Sequence, residues 1–256
     1  MVFQKHRHLT KTTLKSLSPG QRCHLTASKL ASFAHVGYDS AMMAAREVFP
    51  GLNPVPEKKP GFYLEQAMKH GLQTEPLARS VLKKHPWVRE RYEFDDDIND
   101  GLWSVNSVFT HQPSQRSFHI SATPDMVIYD RVREVWVPVE IKCPWRKGNS
   151  EEPLTRSDYK PRHWIQVQVQ CEVMDAPYGL LMIYKEGGSG SSSFLLYQID
   201  SNPKTSKFIL SLAFDTYCRA LRKESFRAKP GEKKSRCEQI EEMMRLYSHC
   251  IDIETE

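Results

Sequence analysis

The chain has 256 residues, of which 39% are hydrophobic and 26% are charged, and its formal net charge is +5. The length fits one substantial α/β or α+β domain, with room for an extension, and this balance is typical of globular proteins. No stretch approaches the roughly 20 apolar residues of a membrane-spanning helix, and the first residues lack the apolar core of a secretory signal. The sequence therefore predicts a protein that is neither embedded in a membrane nor secreted.

The six cysteines are spread along the chain without a Cys-x-x-Cys pair, at Cys23, Cys143, Cys171, Cys218, Cys237 and Cys250. This spacing is not that of a zinc ribbon. Without a secretory signal, reduced thiols are expected, which predicts an intracellular setting in the cytoplasm or nucleus. The modest positive charge is compatible with a polyanionic partner but does not require one.

Residues 1–16 are basic and lack hydrophobic periodicity, which indicates an arm that is solvated or contacts nucleic acid. A turn at Leu17–Gln21 leads into a helix whose start carries Thr26 and Ser28. Hydroxyl groups at a helix start cap exposed amides. The same amides attract anions, so Arg22, Thr26 and Ser28 are candidate phosphate ligands beside the simpler capping interpretation.

A connector rich in proline and glycine, Pro50–Gly61, separates this helix from the next one. The pattern then predicts a helix over Phe62–His70 that ends at Gly71. A second helix is predicted to begin at Glu75, with proline at an early position, and to run to about Lys84. The macrodipole favours a glutamate at a helix start, so Glu75 has a structural explanation beside a role at a cation site.

Short stretches rich in β-formers predict strands at Arg89–Phe94, Trp103–Thr110 and Ser117–Ser121. They precede two further apolar runs, Met126–Tyr129 and Val135–Ile141, joined by a charged segment. This arrangement predicts a β-hairpin.

Charged residues mark the predicted hairpin, with Asp125 before its first strand and Glu140 and Lys142 on its second. Side chains alternate along a strand, so Glu140 and Lys142 share a face while Ile141 points into the opposite layer. Two carboxylates beside an ammonium suit Mg²⁺ and phosphate chemistry. A solvated face or an exposed ion pair is the commoner meaning of Glu-x-Lys, and Cys143 beside it is more simply a small buried residue.

The segment Pro161–Asp175 fits two patterns. In a helix, His163, Gln166 and Gln170 share one face and apolar residues share another. In a strand, apolar residues alternate with glutamines. Periodicity alone leaves the choice open.

Two strands are predicted next, at Tyr178–Tyr184 and Phe194–Ile199. Amphipathic spacing then predicts a helix over Lys207–Arg222, and a final helix is predicted over Cys237–Ile251.

Five short motifs occur in one order along the chain: LTAS (Leu25–Ser28), GLQTEPLAR (Gly71–Arg79), TPD (Thr123–Asp125), VEIKCP (Val139–Pro144) and HWIQVQVQ (His163–Gln170). Together they resemble the phage lambda exonuclease / YqaJ family of the PD-(D/E)xK nuclease superfamily. The resemblance extends over roughly residues 22–184. It implies an α/β fold with a restriction-endonuclease-like core, a mixed β-sheet flanked by helices. Residues 17–206 would form the nuclease domain, and residues 207–256 a helical extension packed on it.

The resemblance implies a role for each matching residue. Asp125, Glu140 and the backbone carbonyl of Ile141 would bind Mg²⁺ or Mn²⁺, as two ions that share Asp125. Lys142 would position or deprotonate the attacking water and stabilise charge in the transition state. Glu75 would orient Lys142 or a water bound at the cluster.

Further roles follow from the same resemblance. Gln166 would orient groups in the site, which favours the helix over the strand for Pro161–Asp175. Nucleic acid would be contacted by Arg22, Thr26, Ser28, Thr123 and His163, with Arg22, Ser28 and Thr123 gripping the phosphate at a 5′ end.

The implied function is that of a metal-dependent deoxyribonuclease, a 5′→3′ exonuclease on double-stranded DNA in recombination or DNA processing. Its expected partners are duplex DNA with 5′-phosphorylated ends and a single-strand annealing protein. One alternative is an endonuclease of the same superfamily acting on DNA or RNA. The other is a non-catalytic DNA-binding or partner-recruiting protein that keeps the fold, which the retention of every motif residue disfavours.

Overall fold

The structure, a computed structural model, describes residues 24–34, 36, 62–95, 105–111, 116–145, 153–186, 192–222 and 231–251. Its strands are β1 (His24–Thr26), β2 (Tyr92–Phe94), β3 (Val105–His111), β4 (Arg116–Ala122), β5 (Met126–Asp130), β6 (Val135–Lys142), β7 (Tyr178–Glu186), β8 (Ser192–Asp200) and β9 (Ser248–Ile251). Its helices are α1 (Ala27–Phe33), α2 (Phe62–Lys84), α3 (Pro86–Arg91), α4 (Pro161–Met174), α5 (Pro203–Leu221) and α6 (Glu232–Tyr247). The predicted basic arm, the turn at Leu17–Gln21 and the connector Pro50–Gly61 lie outside the described residues.

The strands form a three-stranded sheet in the order β1-β4-β3 and a six-stranded sheet in the order β2-β5-β6-β7-β8-β9. In the larger sheet β6 and β7 are parallel, and the other neighbours are antiparallel. The parallel pair is joined through α4, as a parallel connection requires a crossover. The predicted mixed β-sheet flanked by helices is confirmed.

Apolar side chains cover both faces of the six-stranded sheet. Residues of α1, α4, α5 and α6 form one core with the smaller sheet and with one face of β7, whereas α2 and α3 build a second core on the other face. In β7, Leu181 and Ile183 belong to the first core, and Leu180 and Met182 belong to the second. This alternation is the period of two expected for a strand buried on both sides.

The helix that carries Glu75 is longer than predicted. It runs without interruption from Phe62 to Lys84, so the predicted end at Gly71 and restart at Glu75 are wrong. A glycine costs only about 1 kcal/mol relative to alanine inside a helix. Pro76 removes one backbone donor and crowds the preceding turn, at a cost of about 3 kcal/mol that packing must offset. Buried side chains one turn apart hold this half of α2 against the second core, at Thr74, Ala78 and Leu82.

Two other predicted elements differ from the observed ones. The stretch predicted as a strand over Arg89–Phe94 contains the end of α3 followed by the short strand β2. The predicted final helix over Cys237–Ile251 ends at Tyr247, and β9 follows it and pairs with β8. Both strands lie at edges of the six-stranded sheet, where pairing with a distant strand overrides local propensity.

Helix α4 lies very close to the sheet at Gly179 in β7. A Cβ atom built there would be 2.6 Å from Cγ1 of Val167 and 3.0 Å from Sγ of Cys171, both on α4. Because valine has a stiff branched side chain, this contact leaves room only for glycine. The distance between α4 and β7 therefore depends on the missing side chain.

The buried carboxylate of Asp130 ties the β5–β6 turn to the surrounding elements. It accepts hydrogen bonds from Tyr178 Oη, from Arg91 Nη2 at 3.0 Å and from the backbone amides of Val132 and Arg133 at 2.9 and 3.2 Å. Burial raises the pKa of Asp130, but these hydrogen bonds outweigh it and hold the pKa below its ordinary value.

We expect Gly179→Ala to lower the free energy of unfolding by about 1 to 3 kcal/mol, because α4 must move away from β7. Urea unfolding followed by circular dichroism measures the change. The matched control is Gly71→Ala in α2, where an added Cβ meets no atom within 4 Å. That variant is expected to gain up to about 1 kcal/mol of helix stability. Equal effects of the two substitutions would contradict the close approach of α4.

We expect Asp130→Ala to lower the free energy of unfolding at pH 7 by about 3 kcal/mol, because Arg91 and Tyr178 lose their buried partner. A lowered folded-state pKa contributes stability above the unfolded-state pKa of about 4, and that stability is lost as the pH falls through the folded-state pKa. The difference between wild type and variant should therefore shrink below about pH 4. Glu93→Ala, which removes an exposed ion pair with Arg131, should cost less than about 1 kcal/mol.

Candidate active site

The candidate active site lies where the loop before β5 meets the end of β6. Strands β5 and β6 are antiparallel, with Met126 opposite Val139, so the residues that flank this pair, Asp125 and Glu140, are neighbours. Oδ2 of Asp125 accepts a hydrogen bond of 2.6 Å from the backbone amide of Ile141. The hairpin thus brings together two acidic residues that are fifteen positions apart in the sequence.

Glu140 is 1% exposed, and both of its carboxylate oxygens have partners. Oε1 pairs with the ammonium of Lys142, and Oε2 accepts a hydrogen bond of 2.6 Å from Nε2 of Gln170. Ile141, between the two charged residues, packs in the core on the opposite side of the sheet. The predicted sharing of one face by Glu140 and Lys142 is confirmed.

The charges of the site act on one another strongly because Glu140 is buried and Asp125 and Lys142 are only partly exposed. Burial raises the pKa of Asp125 to about 8, with Glu140 and Glu75 adding to the rise, while Lys142 and the Ile141 amide oppose it. Burial alone would lower the pKa of Lys142, but Glu140 and Asp125 outweigh it and raise that pKa. Lys142 is therefore an ammonium at neutral pH, whereas the surroundings of Asp125 favour the protonated form of its carboxyl group.

Glu75 approaches the site from α2. It forms an ion pair of 2.5 Å with Arg79, one turn later on the same helix. Burial, and then the charges of Glu75 and Asp125, raise the pKa of the Cys143 thiol to about 12. The thiol is therefore uncharged at neutral pH, which supports its interpretation as a structural residue rather than a nucleophile.

Helix α4 contributes the polar face predicted from its sequence. The interpretation of this segment as a helix is confirmed over Pro161–Met174. Gln166 is half-buried, whereas Gln170, one turn later, is fully buried and contacts Glu140. The same helical spacing that singled out Gln166 also includes Gln170, so the signal for this residue was present in the sequence.

His163 is 8% exposed, and its Nδ1 accepts a long hydrogen bond of 3.5 Å from the backbone amide of Lys160. Burial lowers the pKa of His163 well below its ordinary value, and the charges of Arg162 and Lys142 lower it further. The imidazole is therefore neutral. By its spacing along the helix, His163 shares a face of α4 with Gln170, which contacts Glu140.

Three of the predicted phosphate contacts, Thr26, Ser28 and Thr123, lie at the same edge of the smaller sheet. Strands β1 and β4 are parallel, with Thr26 opposite Ser121, so Thr123 follows the end of β4 at the same edge. The Thr26 side chain makes no capping hydrogen bond, and its Oγ1 lies 3.1 Å from Oγ of the exposed Ser28. The capping interpretation thus does not account for the Thr26 hydroxyl. Arg22 lies outside the described residues.

The residues brought together are two carboxylates and a lysine. A third carboxylate, that of Glu75, acts on the site through its charge, which raises the pKa of Asp125. In the part of the chain that the structure describes, no group of three or more His, Cys, Asp and Glu side chains is arranged so that it could hold a metal ion. The five described cysteines are free thiols. No helix among the described residues is long and apolar enough to span a membrane.

A comparison with known protein families identifies the family of this chain. A family model described as "YqaJ-like viral recombinase domain" matches residues 20–177, which is more than half of the chain. All of the predicted catalytic residues lie within this match. The chain belongs to the YqaJ-like viral recombinase domain family.

Among curated proteins, none is significantly similar to this chain in sequence. Among solved structures, an alkaline exonuclease from Laribacter hongkongensis, LHK-Exo, is 15% identical, with a TM-score of 0.43 over 88% of this chain and 94% of its own. LHK-Exo in complex with dAMP is 17% identical, with a TM-score of 0.44 over 89% of this chain and 95% of its own. Both TM-scores are below 0.5, and the function of this chain is not inferred from these structures.

Proposed function

We propose that this protein is a metal-dependent deoxyribonuclease that degrades double-stranded DNA from 5′ ends in recombination or DNA processing inside the cell. The observation that carries the proposal is the hydrogen bond between Asp125 and the Ile141 amide, which puts Asp125 beside Glu140 and Lys142. Membership of the YqaJ-like family supports a nuclease, because the residues gathered here are those that the family motifs supply.

The donor set fits Mg²⁺ or Mn²⁺. The Asp125 and Glu140 carboxylates and the Ile141 carbonyl are oxygen donors, and Mg²⁺ takes few carboxylates while keeping several waters. In the described structure, the ammonium of Lys142 supplies the positive charge at Glu140 that a cation would supply. One or two such ions activate water and neutralise charge on the phosphate during phosphodiester hydrolysis.

The remaining residues of the site have roles that follow from charge and position. Lys142 holds a proton and donates hydrogen bonds, so it suits the stabilisation of negative charge at the scissile phosphate and the positioning of the attacking water. Glu75 and Gln166 are proposed to orient these groups from α2 and α4. His163, being neutral, would stack or hydrogen-bond rather than pair with a phosphate.

The preference for a 5′-phosphorylated end is proposed from the hydroxyl groups at the edge of the smaller sheet. Thr26, Ser28 and Thr123 share this edge, and we propose that Arg22 completes the contact with the phosphate. Phosphate contacts of this kind fix the position of DNA without reading its sequence. Degradation from 5′ ends leaves single-stranded 3′ tails, which a single-strand annealing protein would then bind.

We expect Asp125→Ala and Lys142→Ala each to lower the rate of cleavage by about 100-fold or more, because each removes a group that acts on the reacting phosphate. DNA binding, measured by fluorescence anisotropy in EDTA, should change little, because phosphate contacts elsewhere supply the affinity. Lys204→Ala, an exposed lysine at the start of α5, serves as the charge-matched control. Wild-type rates for both site variants would contradict the assignment of the site.

The proposed activity is tested by digestion of linear duplex DNA that bears a 5′-phosphate or a 5′-hydroxyl, beside a closed circle, with and without Mg²⁺. We expect Mg²⁺-dependent loss of the 5′-phosphorylated linear DNA while the circle remains intact. Cleavage of the circle would instead indicate an endonuclease. DNA binding without cleavage of any substrate would indicate a non-catalytic member of the family.

A further inference from the structure

Gln170 is a buried residue at the site. Of the two polar atoms of its side-chain amide, one has a hydrogen-bond partner and the other has none among the described residues. Its Nε2 donates the 2.6 Å hydrogen bond to Oε2 of Glu140. Its Oε1 is also buried and has no hydrogen-bond partner among the described residues. The reverse orientation of the amide would set two oxygens against each other, so the carboxylate fixes which end of the amide faces it.

The backbone that carries Gln170 is closely packed against the sheet. Helix α4 is pressed against β7 by the close contact of Val167 and Cys171 with Gly179. Gln168, on the turn between them, donates a 2.6 Å hydrogen bond to the carbonyl of Asp200 and accepts one from the backbone amide of Asn202. The position of the Gln170 amide is therefore set by the packing of α4 on the sheet.

An unpaired buried acceptor destabilises a folded protein. A residue that served only to fill space at this position would be better replaced by a methionine or leucine of similar volume. The retention of an amide whose single bond goes to Glu140 therefore points to a role at that carboxylate.

We propose that Gln170 is a positioning residue that fixes the Glu140 carboxylate as a metal ligand. Gln170 holds Oε2, so that Oε1, which faces the Lys142 ammonium, is the oxygen turned towards the cation. The unpaired Oε1 of Gln170 is available to a water molecule that enters the site with the ion. The inference rests on the proposed function, because it takes Glu140 to be a ligand, and it assigns to Gln170 a contact with Glu140 that Gln166 does not make.

A hydrogen bond to a metal-ligating carboxylate keeps the ligand in the orientation required for binding, and its loss typically lowers metal affinity about 10- to 100-fold. Gln170→Met keeps the length of the side chain and removes the donor. Gln168→Met is the matched control, because it removes a fully buried glutamine from the same helix whose bonds go to the β8–α5 connection and not to the site.

The affinity of the full chain for Mn²⁺ is measured by isothermal titration calorimetry in the absence of DNA. We expect the dissociation constant of Gln170→Met to rise about 10- to 100-fold and that of Gln168→Met to stay within about twofold of wild type. Where duplex DNA is cleaved, the Mn²⁺ concentration at half-maximal rate should rise for Gln170→Met. Partial recovery of the rate at saturating Mn²⁺ is expected, whereas a merely unfolded fraction would lower the rate at every concentration.

If Gln170→Met does not fold, Gln170→Asn provides the same comparison, because it withdraws the amide from Glu140 by about 1.5 Å. Unchanged Mn²⁺ affinity in a folded Gln170 variant would overturn the proposal, and so would an equal loss in Gln168→Met. Absence of Mn²⁺ binding by the wild type would overturn it as well, because Glu140 would then not be a ligand. Mn²⁺ binding without DNA cleavage would contradict the nuclease function alone and leave the affinities to decide the role of Gln170.

Discussion

The site depends on one hydrogen bond, from the backbone amide of Ile141 to the carboxylate of Asp125. Asp125 lies in the loop before β5, and Ile141 is an interior residue of β6, so the bond joins two segments that only the hairpin brings together. Because the donor lies between Glu140 and Lys142, the bond fixes Asp125 beside both. The register of β5 and β6 makes Asp125 and Glu140 neighbours, and this bond fixes the orientation of the Asp125 carboxylate.

The fold provides different surroundings for two aspartates, Asp125 at the candidate site and Asp130 at the β5–β6 turn. Glu140 is satisfied by Lys142 and Gln170, but Asp125 keeps one oxygen outside its bond to Ile141, and its pKa is raised by burial and by its acidic neighbours. The charged form of Asp125 is therefore disfavoured. By contrast, the buried carboxylate of Asp130 is surrounded by donors, and its pKa is lowered. The two aspartates differ in the number of hydrogen-bond donors around the carboxylate. Asp125, the aspartate at the site, has fewer than Asp130.

Helix α4 connects the packing of the domain with the chemistry of the site. It packs against α1, the strands β4, β6 and β7, and the C-terminal helices α5 and α6. Its approach to β7 depends on Gly179, and its polar face delivers Gln170 to Glu140. The C-terminal segment also adds β9 to the sheet edge, so it shares both the core and the sheet with the residues that precede it. A change in the packing of α4 would therefore reach the site through Gln170.

The sequence by itself determined the features that depend on local periodicity or on a short motif. The period of two along β6 predicted that Glu140 and Lys142 share a face, and the ordered motifs predicted the family and the helix over Pro161–Met174. Only the tertiary structure decided that α2 continues through Gly71, that β9 pairs with β8, and that Gln170 contacts Glu140. The physical reason is that each of these depends on a partner distant in the chain, and local propensities, worth about 1 kcal/mol or less per residue, are outweighed by packing and pairing at those positions.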